Sequence, residues 1–101
     1  MSTRITEVDE PGSARTTLLV EGTLRLGEAE LLERICRELG RRPGREGIAL
    51  DLADLCFLDS DSARVLCRLR AEQGVTFEGL RLFVQSAIEM AERNGKLERR
   101  D

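Results

Sequence analysis

Residues 50–66 of the chain are Leu50-Asp51-Leu52-Ala53-Asp54-Leu55-Cys56-Phe57-Leu58-Asp59-Ser60-Asp61-Ser62-Ala63-Arg64-Val65-Leu66. The beginning of this stretch belongs to a short apolar run, residues 47–52, which is bounded by turn residues and predicts a central strand covered on both faces. Its end belongs to a segment, residues 61 or 62 to 70, whose apolar side chains recur at helical spacing. The stretch therefore predicts a strand, a connecting loop and a helix.

The segments on either side continue this alternation. Residues 4–8 and 16–24 predict two strands joined by a hairpin, and residues 28–39 predict a helix. Residues 75–79 predict a further strand, and residues 84–94 predict a third helix. The expected fold class is therefore α/β, because alternating strands and helices imply parallel crossovers. We expect a small mixed sheet of about four strands with helices packed mainly on one side, in the order β-β-α-β-α-β-α.

The apolar positions of these elements predict one core, and 101 residues leave room for a single domain, residues 1–101. The predicted core members are Leu18, Val20, Leu32, Ile35, Leu39, Ile48, Leu50, Leu52, Phe57, Val65, Leu66, Leu69, Phe77, Ile88 and Ala91. The cysteines, Cys36, Cys56 and Cys67, lie among apolar neighbours and form no Cys-x-x-Cys pair. We expect three reduced thiols in the core and no metal site.

The composition argues against several classes of function. The chain has no His, Trp or Tyr, so it lacks the usual general base and any Ser–His or Cys–His nucleophile pair. A net charge of −3 with three aromatic residues, all Phe, fits neither nucleic-acid binding nor attraction to an anionic membrane. No apolar run resembles a signal peptide or approaches the span of a bilayer. We therefore expect a cytoplasmic, non-catalytic binding module that uses no cofactor, binds no nucleic acid and does not insert into a membrane.

Two acidic residues, Asp59 and Asp61, flank Ser60 where the second helix is expected to begin. Short oxygen-bearing side chains at that position accept hydrogen bonds from the unpaired N–H groups of the first turn. The simplest interpretation is that Asp59 or Ser60 only caps the helix, which contributes about 1 kcal/mol. A nucleophilic role is not expected for Ser60, because no basic side chain nearby in the sequence could activate it.

Residues 50–66 closely resemble the signature segment of STAS domains (sulphate transporter and anti-sigma factor antagonist). In that family a Leu-Asp-Leu strand is followed by a short loop, an Asp-Ser/Thr motif and a helix. Val20-Glu21-Gly22-Thr23-Leu24 resembles the family's second strand, and Val75-Thr76-Phe77-Glu78-Gly79 falls where the family has its fourth. The resemblance covers residues 16–94 and implies a bacterial regulatory module that binds a protein partner.

The resemblance also implies residue roles. In anti-sigma factor antagonists the serine after the motif aspartate is phosphorylated by a kinase-like anti-sigma factor, and the unmodified form binds that kinase. Ser60 is thus the phosphorylation candidate, and the expected partner-binding residues are Arg25, Asp59, Ser60, Asp61 and Ser62. An alternative from similar proteins is a cytoplasmic accessory subunit of an ABC transporter for phospholipids, which would bind an ATPase subunit. The sequence stops before the family's final strand and helix, so we also expect an open sheet edge and a homo-oligomer or completion by a partner.

Asp61 and Ser62 stand where the family usually has a small residue and a glycine. A phosphate on Ser60 would be favoured by the helix N-terminus but opposed by Asp59 and Asp61, because each like-charge pair costs roughly 1 kcal/mol at ~5 Å even in water. We therefore favour recognition of the acidic helix start over phosphorylation. Arg25 is expected near this helix start, where it would either offset the acidic pair or receive a phosphate.

Overall fold

The computed structural model describes residues 3–9, 12, 15–41 and 47–98. Its elements are β1 (Thr3–Asp9), β2 (Arg15–Leu24), α1 (Leu26–Arg41), β3 (Gly47–Asp51), β4 (Leu55–Leu58), α2 (Ser60–Gln73), β5 (Thr76–Glu78) and α3 (Leu82–Glu98). The α/β class is confirmed, with a mixed sheet of five strands. The additional strand is β4. The sequence predicted only a loop at this position, before the second helix. The turn expected between β1 and β2 lies largely outside the described residues.

The sheet follows the order β1-β2-β3-β5, and β1 is antiparallel to β2. The beginning of β2 pairs in parallel with β3, and its end, Gly22 to Leu24, pairs in parallel with β4. β5 is parallel to β3 and pairs with no other strand among the described residues. Because β2, β3, β4 and β5 all run in the same direction, their last residues lie toward one end of the sheet, here called the carboxyl end. All three helices begin there.

The helices form a layer in which α2 packs between α1 and α3. Their apolar stripes face the sheet or each other, and most of the predicted core residues are buried. Ile35 and Phe77 are half-buried and pack against that core. The core also includes buried residues outside the prediction: Leu24, Ala29, Leu55, Val75 and Val84. None of the described helices is long and apolar enough to cross a membrane.

Two predictions about burial are wrong, and both concern β4. Phe57 is 41% exposed and Cys56 is also exposed, so neither belongs to the core. β4 reaches beyond β3 to pair with the last residues of β2, and only Leu55 of this strand is fully buried. The three thiols are free, as expected, but only Cys36 is fully buried. Burial, aided by the nearby charge of Glu33, raises the pKa of Cys36 to about 11, which keeps this thiol neutral.

An ion pair joins the middle of α1 to the middle of α2. Arg68 donates two hydrogen bonds to the carboxylate of Glu33, at 2.6 Å and 2.9 Å. Arg37 adds a longer contact of 3.6 Å to the same carboxylate. The hydrogen bond from Arg68, together with the charges of both arginines, outweighs burial and lowers the pKa of Glu33. The pair therefore joins two helices that both begin at the carboxyl end.

Candidate functional site

Helix α2 begins with a side-chain cap supplied by Asp59. This residue has extended backbone (φ −86°, ψ 168°), and its Oδ1 atom accepts a 2.8 Å hydrogen bond from the backbone N–H of Ser62. The carbonyl oxygen of Asp59 accepts the first helical hydrogen bond from Ala63, at 3.0 Å. Of the two capping residues left open by the sequence, the structure selects Asp59, and Ser60 becomes the first helical residue.

The surroundings of the Asp59 carboxylate favour its ionised form. Partial burial would raise its pKa, but hydrogen bonding from Ser62, the nearby backbone N–H of Leu26 and the charge of Arg25 together lower it. The backbone N–H of Asp59 in turn donates to the carbonyl of Leu24, at 3.4 Å. Asp59 therefore ties the start of α2 to the end of β2.

Arg25 lies beside this helix start, as the sequence analysis predicted. Its guanidinium carbon is 5.2 Å from the centroid of the Phe57 ring, within the range of a cation–π contact. Its charge also acts on Asp59, where it favours the ionised form. The guanidinium of Arg25 thus partly neutralises the negative charge of Asp59 and also lies against the ring of Phe57.

The first turn of α2 presents two side chains outward. Ser60 and Asp61 are exposed, whereas Ser62 is fully buried. Ser62 therefore offers no side-chain surface in this structure, and the partner contacts expected of these residues stay predictions. Position 62 faces the same side of α2 as Leu66 and Leu69, because residues four and seven apart share a helical face. Ser62 supports the site through its backbone N–H.

Leu26 and Phe57 complete the surface around the helix start, although the sequence predicted Phe57 in the core. They are 40% and 41% exposed. Leu26 is the first residue of α1 and lies outside the buried stripe of that helix, and this position was the only feature of the sequence that indicated its exposure. The arrangement offers a hydroxyl, a carboxylate and apolar area to a ligand.

Other parts of the described structure present fewer groups that could bind a metal ion or a ligand. No group of three or more Cys, Asp or Glu side chains among the described residues could hold a metal ion. A surface groove of about 430 Å³ lies beside β5, and Arg70 is its one ionisable lining residue. That guanidinium lies 5.3 Å from the Phe77 ring centroid and pairs with Glu92.

Comparison with known proteins identifies no family. No protein-family model matches the chain, and no curated protein matches it. Among solved structures, the chain is similar to one described as a crystal structure analysis of Mglu, with 29% sequence identity and a TM-score of 0.52. The similarity covers 68% of this chain but only 18% of that one. The likeness extends to part of a much longer protein.

Proposed function

We propose that the protein is a cytoplasmic, non-catalytic regulatory module of the STAS type, which binds a protein partner through the start of α2. The observation that carries the proposal is that the exposed residues Ser60 and Asp61 directly follow Asp59, the capping residue, whose carboxylate accepts a hydrogen bond from the N–H of Ser62. A binding surface gains affinity when its groups are held in place before the partner arrives. The sequence resemblance to anti-sigma factor antagonists indicates the same residues as the partner-binding site.

The partner recognises the acidic helix start rather than a phosphate on Ser60. A phosphate at a helix N-terminus is stabilised by unpaired N–H groups of the first turn. Here the Asp59 carboxylate already accepts the N–H of Ser62. A second anion on Ser60 would meet fewer free donors and two neighbouring carboxylates.

The test is affinity capture from native lysate with quantitative mass spectrometry. The baits are the wild type, Ser60→Ala, Ser60→Asp and Asp61→Ser. The matched control is Glu30→Ser, which removes the same charge as Asp61→Ser at an exposed position of α1. We expect a partner that Asp61→Ser loses, that Ser60→Asp retains, and that Glu30→Ser still captures.

The identity of that partner separates the two members of the class. A kinase-like anti-sigma factor supports the antagonist role, and an ATPase subunit of a transporter supports the accessory-subunit role instead. Loss of the partner on Ser60→Asp, together with phosphate on Ser60 of the purified protein, would establish a phosphorylation switch in place of acidic recognition. Equal capture by all baits would overturn the proposed site.

A further inference from the structure

Exposed apolar side chains collect at the carboxyl end of the sheet. Five large hydrophobic residues, here called the apolar rim, are at least 39% exposed there. They are Leu26, Phe57, Leu80, Leu82 and Phe83, and Leu82 is 80% exposed. Only three other large hydrophobic residues of the described chain are comparably exposed, and they are spread over β1, α1 and α3. Clustered apolar exposure marks binding surfaces more often than scattered exposure does.

The two parts of the rim are joined through the backbone. The N–H of Leu52 donates to the carbonyl of Glu78, at 2.9 Å. Gly79 follows directly and lies so close to Ala53 that an added Cβ would be 2.8 Å from the Ala53 side chain. The loop that carries Leu80 therefore passes against the turn that leads into β4 and Phe57. The two loops that lead into the Phe57 part and the α3 part of the rim therefore lie side by side at the carboxyl end.

The charges along this surface are unequal. Asp54 and Asp61, on either side of Phe57 in the sequence, are exposed and form no ion pair among the described residues. Arg25 is engaged by Asp59 and Phe57. Arg81 lies toward the other end of the rim, between Leu80 and Leu82 in the sequence. Asp54, Asp59 and Asp61 outnumber the nearby cations Arg25 and Arg64, so the Phe57 end has a net negative charge.

We infer that the apolar rim binds an amphipathic helix of a protein partner, whose leucine-like side chains cover the rim and whose lysine or arginine residues meet Asp54 and Asp61. This inference rests on the proposed function and names the chemistry of its partner. A second copy of the chain fits less well, because two chains that each carry a net charge of −3 repel each other. A helix seated by apolar anchors is a common recognition mode for such surfaces.

The test uses two synthetic fluorescein-labelled helical peptides with the same leucine stripe, one carrying lysines and the other glutamates on its polar face. Binding is followed by fluorescence anisotropy, and the contact surface by amide chemical shifts of the isotope-labelled protein. We expect the lysine peptide to bind, with shifts confined to the rim and the first turn of α2. Leu82→Ser and Asp61→Lys should each weaken it about tenfold.

The matched controls are two substitutions at exposed positions of α1. Leu31→Ser removes the same apolar side chain as Leu82→Ser, and Glu30→Lys reverses a charge as Asp61→Lys does. Both should bind the lysine peptide as the wild type does. Equal weakening by Glu30→Lys, equal binding of the glutamate peptide, or shifts outside the rim would overturn the inference. Adding Leu82→Ser to the lysate baits separates the two proposals. Capture that depends on Asp61 but not on Leu82 would overturn the inference that the partner binds the apolar rim, and it would leave the proposed function standing.

Discussion

The backbone N–H of Ser62 donates a 2.8 Å hydrogen bond to Oδ1 of Asp59, so the residue before α2 closes the first turn of that helix. The backbone N–H of Asp59 donates at 3.4 Å to the carbonyl of Leu24, the last residue of β2. The start of α2 is thereby fixed to the strand that precedes α1. A binding surface gains affinity when its groups are held in place before the partner arrives.

Replacing Asp59 by Ala should lower the free energy of unfolding by about 1 kcal/mol, because α2 loses its cap. Asp59→Asn should cost less, since an asparagine oxygen can still accept this hydrogen bond. Urea unfolding followed by circular dichroism measures both. Equal losses for the two variants would show that charge, and not capping geometry, is the important contribution of Asp59.

Acid should weaken the α1–α2 contact through Glu33. Its folded-state pKa lies below the ordinary glutamate value of 4.5, so the ion pair stabilises the fold fully above that value. The contribution is lost as the pH falls through the lowered pKa. Between about pH 6 and about pH 3, the wild type should therefore lose more stability than Glu33→Gln does. Urea titrations at both pH values measure this difference, and Glu38→Gln, at an exposed position of α1, should keep the wild-type dependence.

Leu50→Ala and Phe57→Ala should differ sharply in stability, although both positions belong to the predicted core. Leu50 is fully buried in β3, and its truncation should cost about 2–5 kcal/mol because the surrounding strands cannot close the cavity. Phe57 is 41% exposed, and its truncation should cost about 1 kcal/mol or less. Thermal unfolding of the two variants compares them directly. A larger loss for Phe57→Ala would contradict the exposed position of β4.

Gly79→Ala should destabilise the chain more than Gly74→Ala does. Both glycines have φ of +65°, but an added Cβ meets Ala53 only at Gly79, while Gly74 has open space around it. We expect a loss of about 1 kcal/mol for Gly74→Ala and about 2–4 kcal/mol for Gly79→Ala. Urea unfolding measures both losses. The double variant Gly79→Ala, Ala53→Gly should recover part of the larger one, and no recovery would place the strain elsewhere.

Local patterns in the sequence were sufficient for the regular elements. The apolar spacing of α1 and α2 and the continuous apolar run of β3 predicted their types, because a helix or a buried strand repeats its contacts every few residues. The acidic cap at the start of α2 was equally visible, since capping depends on neighbouring residues. The position of Arg25 beside that cap followed from the resemblance and not from any local pattern.

What depends on pairing between distant segments became visible only in the tertiary structure. β4 is four residues long and is a strand because the end of β2 is free to pair with it. No periodicity of apolar residues within these four positions indicates that pairing. That pairing leaves Phe57 exposed, next to Arg25. Glu33 and Arg68, 35 residues apart, meet only because α1 and α2 pack side by side. The sequence by itself determined which segments become helices and strands, since those depend on local periodicity. The tertiary structure decided which side chains face outward at the carboxyl end, because that depends on which strand edges and helix faces the rest of the chain covers.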